Sequence, residues 1–172
     1  KEVLPVPKKL NILFICTGNT CRSVMAQGLF TKIWDELNIE RDLTVSSAGV
    51  GTLEGLKATP EALKVLEEEG IDLSAHRSQI VDQHKVASAH YIFTMTRSQK
   101  HYLLQNFPGI EEKVWVLEEF VRKNNFQDIP DPYGFPLDYY RAIAAEIKRI
   151  LGEACQKLST INGDEGFQQH ND

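Results

Sequence analysis

The chain has 172 residues, 42% hydrophobic and 25% charged, with 19 basic against 24 acidic side chains and a formal charge of −5. This balance excludes a wholly disordered chain, the length suits one domain with its own core, and an acidic chain offers nucleic acid no electrostatic footprint. No run approaches the ~20 consecutive apolar residues of a membrane helix, and an odd three cysteines argue against a disulfide framework and fit a reducing compartment.

Residues Lys1 to Lys9 carry two prolines and read as a loose lead-in. They lack the apolar core of a signal peptide, so a cytoplasmic protein is expected. Leu10 to Ile15 is a short, nearly unbroken apolar run, the pattern of a strand buried on both faces. From Ser23 to about Asp35, Met25, Leu29, Phe30 and Ile33 recur at helical spacing. Leu43 to Val45 reads as a weak strand ending at Ser46-Ser47-Ala48-Gly49. Thr59-Pro60 is an N-cap followed by proline at the first helical position, and Gly70 stops that helix.

A short helix is expected around Gln79 to Ala87, and a strand over Tyr91 to Thr94. Thr96 with Gln99 three residues on is a capping-box signal for a helix ending near Phe107-Pro108-Gly109. Lys113 to Leu117 is a further strand, and a polar loop from Asn124 to Pro136 leads to the last helix. There Tyr140, Ile143, Ile147, Ile150, Leu151, Ala154 and Leu158 trace one apolar stripe. The domain is therefore expected over residues 10–160, with a polar, disordered tail over 161–172. Strands alternating with helices give parallel β-α-β units and an α/β fold, with ligands at the carboxyl ends of the strands. Three loops come into question: those after Ile15, after Val45 and around Asp131.

Cys16-Thr17-Gly18-Asn19-Thr20-Cys21-Arg22-Ser23 lies between a buried strand and a helix. A helix start presents unpaired N–H groups and a positive dipole end, so the tight loop before it can cup an anion. Gly18 and Asn19 tolerate the left-handed backbone such a turn needs. Arg22 can hold two oxygens of a tetrahedral oxyanion, and Cys16 would sit under the phosphorus. The same positive surroundings favour a thiolate, which the Ser23 hydroxyl could stabilise further.

The segment lacks the first glycine and the lysine of a Walker phosphate loop. Cys16 and Cys21 have no second Cys or His pair for zinc, and no metal or cofactor is expected. Gly49 to Gly55 misses the dinucleotide fingerprint by one residue. The bland alternative for Cys16 is an inert buried thiol at a strand end. Asp131, between Pro130 and Pro132, is a candidate proton donor whose backbone the prolines restrict; taken alone it reads equally as a turn residue.

This loop, with Asp131-Pro132-Tyr133 downstream, resembles the low-molecular-weight protein tyrosine phosphatase family, and the likeness runs from about Leu10 to Leu158. It implies a single domain with a four-stranded parallel sheet, helices on both faces and flavodoxin-like winding. It also implies metal-free hydrolysis of a phosphorylated protein substrate through a phosphocysteine. On that likeness Cys16 is the nucleophile, Arg22 binds the phosphoryl oxygens, and Asp131 is general acid and then base. Thr17, Gly18, Asn19, Thr20, Cys21 and Ser23 complete the phosphate-binding loop. Asn19, Ser47 and His76 match positions that brace it through hydrogen bonds, although His76 reads as well as a surface polar residue. Cys21 matches a second cysteine able to pair reversibly with the nucleophile, or it packs the loop. Cys155 is expected in the core.

The chain departs from the family pattern at three places, the last two of which bear on the substrate. Val24 replaces the proline that usually follows Arg-Ser. Val50-Gly51-Thr52-Leu53 lacks the aromatic residue that walls the cleft of many phosphotyrosine-specific members. Thr17 stands where those members carry a larger aliphatic residue, and the loop is similar to that of the bacterial protein-arginine phosphatase branch. A small polar residue suits a guanidinium leaving group, whose N–H groups need partners on desolvation; drift at a loop position is the alternative. The substrate is thus phosphotyrosine or phosphoarginine, with Thr17 tilting the expectation to phosphoarginine and Tyr133 still offering a phenyl ring one wall. Two other readings compete with a phosphatase. An arsenate reductase of the same fold needs a mid-chain cysteine pair, and none lies between Arg22 and Cys155. A non-catalytic phosphate-binding module gains nothing obvious from an activated thiolate.

Overall fold

The computed structural model describes residues 9–161. The expectations for the lead-in and the tail fall mainly on residues 1–8 and 162–172, outside the described residues; Lys9 itself opens the first strand. That strand, β1 (Lys9–Cys16), pairs in parallel with β2 (Asp42–Gly49) along its whole length and with β3 (Tyr91–Thr94) on its other side. β3 in turn pairs in parallel with β4 (Val114–Val116), giving the order β2-β1-β3-β4. The winding reverses beside β1, so the loop leaving β1 opens at the switch point where such sheets hold ligands.

β1 is apolar on both sides because both sides are covered. Leu10, Ile12 and Phe14 face one core with Phe93 and the inner faces of α1 (Arg22–Glu36), α2 (Pro60–Glu68) and α6 (Leu137–Thr160). Leu13 and Ile15 face a second, smaller core with Ile92, Val86 of α3 (Gln83–Ser88) and Leu103 of α4 (Arg97–Asn106). The apolar stripe of α6 is buried throughout, each large aliphatic contributing roughly 1.5–3 kcal/mol. Cys155 lies among them, and burial pushes its thiol up to about 12.

The helix starts follow their sequence signals. Thr59 accepts from Ala62 N–H at α2, and Thr96 with Gln99 forms the complete capping box at α4. Three expectations need correction. β2 continues to Gly49 instead of ending at Val45; its outer half alternates at an exposed edge, and this polar alternation made it read as weak. Residues 79–82 are not helical: Ile80 bridges Gly49 in parallel, and α3 starts only after Asp82, whose carboxylate accepts from Lys85 N–H. A helix also follows β4 without a break, α5 (Leu117–Val121), started by Glu119 accepting from Val116 N–H.

Candidate active site

The turn after β1 is built around Asn19. Its backbone is left-handed (φ 55°), its N–H donates to Cys16 Sγ at 3.2 Å, and it is fully buried. Its side-chain amide donates to Ser23 Oγ at 2.9 Å and accepts from Gln79 N–H at 2.9 Å. Ser23 Oγ, which accepts that N–H, lies 2.9 Å from Cys16 Sγ, within reach for its hydroxyl to donate to a thiolate there. A backbone N–H and a hydroxyl thus both lie within hydrogen-bond distance of Sγ. Gly18 departs from expectation: Asn19 alone carries the left-handed turn, and Gly18 keeps an ordinary φ. No side chain caps α1, so its leading N–H groups stay available to an anion.

Arg22, first residue of α1, is buried, and its Nη1 donates to the Ile129 carbonyl at 2.8 Å. Its Nη2 lies 3.7 Å from Asp131 Oδ2. Asp131 is half exposed, and its other oxygen accepts from Tyr133 N–H at 3.1 Å, a turn that fixes the carboxylate between its two prolines. The loop is pinned upstream as well. Ile129 N–H donates to the Met95 carbonyl, Asp128 accepts from Arg97 N–H, and the Arg97 guanidinium lies 4.0 Å over the Phe126 ring.

Of the expected braces, His76 reaches the loop and Ser47 does not. His76 Nε2 donates to the Asn19 carbonyl at 2.8 Å. Ser47 Oγ instead donates to Gln27 Oε1 at 2.7 Å, because β2 turns that side chain toward α1; it ties strand to helix and makes no described bond to the phosphate loop. Burial, with the Arg77 charge adding to it, holds the His76 pKa below its ordinary 6.5 against the opposing pull of the Asn19 bond. Below 6.5 the unfolded chain therefore takes up the proton first, and this contribution to stability is lost as pH falls from 6.5 toward the folded value. Thermal melts of wild type and His76→Gln across that window are expected to show a shallower acid decline in the variant. Identical slopes would take His76 out of the loop's support.

Gly49, noted in the sequence only as part of a motif, supports the loop directly. Val50 and Gly51 N–H groups bond the carbonyls of Cys16 and Thr17. A Cβ on Gly49 would stand 2.6 Å from the Thr17 carbonyl oxygen and 2.9 Å from Thr52 Cγ2. Gly49→Ala is expected to displace the loop, costing about 1–3 kcal/mol by denaturant melts and weakening phosphate binding. Unchanged phosphate affinity would contradict that contact.

A cleft of about 750 Å³ opens above this floor. Cys16, Arg22 and Asp131 line it together with Thr17 and Thr20. Tyr133, 67% exposed, Leu53 and Leu56 line it as well, all three exposed to solvent. Val24 is fully buried in the core. Cys21 is buried and unbridged, with its sulfur 3.3 Å from the Tyr140 hydroxyl and 3.5 Å from Thr59 Oγ1. Among the described residues no helix is long and apolar enough to cross a membrane.

A cysteine at the end of a parallel strand, a buried arginine and a carboxylate that line one cleft make a candidate phosphate-handling site in an α/β protein. The family model for low-molecular-weight phosphotyrosine protein phosphatases matches residues 11–162, and the chain belongs to that family. It is 38% identical to a protein-arginine-phosphatase of Geobacillus stearothermophilus over 87% of this chain and 96% of the relative. It is 30% identical to the low-molecular-weight protein-tyrosine-phosphatase PtpB of Staphylococcus haemolyticus over 84% and 96%. Its fold superposes with a TM-score of 0.83 on a YwlE arginine phosphatase mutant with a phosphorylated active-site serine, at 33% identity over 88% of this chain and 97% of that one. The protein is accordingly a hydrolase of phosphorylated protein side chains.

Proposed function

We propose that Cys16, Arg22 and Asp131 carry a two-step hydrolysis and that the preferred substrate is phosphoarginine in proteins. In the first step Cys16 Sγ attacks the phosphorus and the bond to the leaving atom breaks. Asp131, protonated, gives its proton to that atom, a guanidine nitrogen or a phenol oxygen. Arg22 and the loop N–H groups hold the three equatorial oxygens. In the second step the Asp131 carboxylate takes a proton from water, whose oxygen attacks the phosphorus and expels the cysteine sulfur. The Asn19 N–H and the Ser23 hydroxyl within hydrogen-bond distance of Cys16 Sγ, in a cleft that Arg22 and Asp131 also line, carry this reading. The phosphorylated serine in the YwlE variant supports covalent transfer to the corresponding position.

Two protein-arginine-phosphatases among the relatives support phosphoarginine, as does the presence of two threonines, Thr17 and Thr20, in the cleft lining. The Thr20 hydroxyl has only the Cys21 sulfur, 3.7 Å away, as a described partner, so both side chains belong in the test. The experiment compares kcat/KM on phosphoarginine and phosphotyrosine peptides for wild type, Thr17→Ile and Thr20→Ile. Wild type is expected to prefer phosphoarginine, and an aliphatic residue in the loop to shift the ratio toward phosphotyrosine by about tenfold or more. A wild-type preference for phosphotyrosine would reverse the assignment. A ratio unmoved by either variant would remove the argument from the threonines.

A further inference from the structure

Thr17 lines the cleft next to the nucleophile, and the side chain that holds it comes from 82 residues away. Gln99 Nε2 donates to Thr17 Oγ1 at 3.1 Å. Gln99 is 3% exposed, and its Oε1 is already engaged by two backbone donors, Met95 N–H at 2.8 Å and Thr96 N–H at 3.1 Å. The second of these closes the α4 capping box, and together they fix which way the amide faces. With the oxygen turned to the helix cap, the nitrogen is the atom left facing Thr17.

A threonine hydroxyl has one proton to give and two lone pairs to offer. The Gln99 N–H occupies one lone pair and cannot accept the proton. No other bond to Thr17 Oγ1 is found among the described residues, and the side chain is exposed in the cleft lining. We propose that Gln99 is a positioning residue: the α4 capping box locks its amide so that the Thr17 hydroxyl keeps its proton for a phosphoryl oxygen bound in the loop. The inference deepens the phosphatase reading above and rests on it for the identity of the bound group. It adds a link from the start of α4 to the phosphate loop and makes substrate binding sensitive to the chemistry of residue 99.

Gln99→Glu tests this with little disturbance to the helix. Glutamate supplies the same acceptor to Met95 and Thr96, and it is the other residue a capping box uses at that place. Toward Thr17, however, it presents an acceptor, so the hydroxyl proton turns away from the cleft. The probe is inorganic phosphate, with Kd measured by calorimetry alongside KM and kcat on 4-nitrophenyl phosphate. The Kd for phosphate and KM are expected to rise about fivefold while kcat changes less than about twofold, the pattern of a lost contact made equally in ground and transition states.

A carboxylate near a dianion also repels it, so the substitution is repeated in a Thr17→Val background. There the effect of Gln99→Glu on phosphate binding is expected to shrink to about twofold or less, because no hydroxyl remains to be turned. An equal loss in both backgrounds would assign the effect to charge and overturn the proposal. Unchanged phosphate binding in Gln99→Glu would overturn it as well. Because phosphate binding is read without turnover, coupling between residues 17 and 99 in a protein inactive on phosphorylated peptides would defeat the functional reading alone.

Discussion

Cys16→Ser is expected to lower kcat by about 10³-fold or more while leaving the fold and phosphate binding largely intact. The substitution exchanges sulfur for oxygen in a buried pocket that already supplies donors from Asn19 N–H and Ser23. The groups that would hold the phosphate, Arg22 and the loop N–H groups, are untouched. What changes is the attacking atom, because a serine hydroxyl holds its proton far more tightly than a thiol. Steady-state kinetics on 4-nitrophenyl phosphate, with calorimetric phosphate binding as the control, separates the two effects. Full turnover by the serine variant would sink the covalent mechanism. A parallel loss of phosphate binding would show instead that the substitution had collapsed the loop.

The second large effect is expected at Asp131. Asp131→Asn keeps the acceptor that bonds Tyr133 N–H, so the turn between Pro130 and Pro132 is retained. It removes the proton that the leaving atom needs. With phosphoarginine or phosphotyrosine peptides, kcat/KM is expected to fall about 10²–10⁴-fold, the usual worth of a general acid. With 4-nitrophenyl phosphate the first step should be much less affected, because nitrophenolate leaves without help. The 3.7 Å approach to Arg22 involves a half-exposed carboxylate, so its loss contributes little to stability. An equal loss on good and poor leaving groups would make Asp131 a scaffold for Arg22 and not the acid.

The parts of the fold that follow from local sequence were legible, and the parts that follow from distant packing were not. The apolar run of β1, the proline-started α2, the Thr96–Gln99 box and the α6 stripe each carry their signal within a few residues. The turn between β1 and α1 was legible because a tight strand-to-helix turn needs a particular local backbone, although Asn19 supplies the left-handed residue without Gly18. The two helices misjudged near Gln79 and Leu117 were decided elsewhere. Residues 79–81 lie against Gly49 of β2, with Gln79 N–H given to Asn19, and Phe120 of α5 packs edge-on at 5.0 Å against Phe93. Ser47 was assigned to the loop by likeness, whereas the pleat of β2 sends its hydroxyl to Gln27. The Gln99–Thr17 bond had no local signal beyond the capping box, since its second partner comes from another strand end.

The most direct measurement is rapid-quench trapping with Asp131→Asn and 4-nitrophenyl phosphate. The residue proposed as the base for the second step is then missing, so one equivalent of nitrophenol should appear quickly, followed by slow turnover. Mass mapping of the quenched protein should find a phosphoryl group on Cys16. Turnover without that adduct, or a phosphoryl group on any other side chain, would contradict the covalent mechanism.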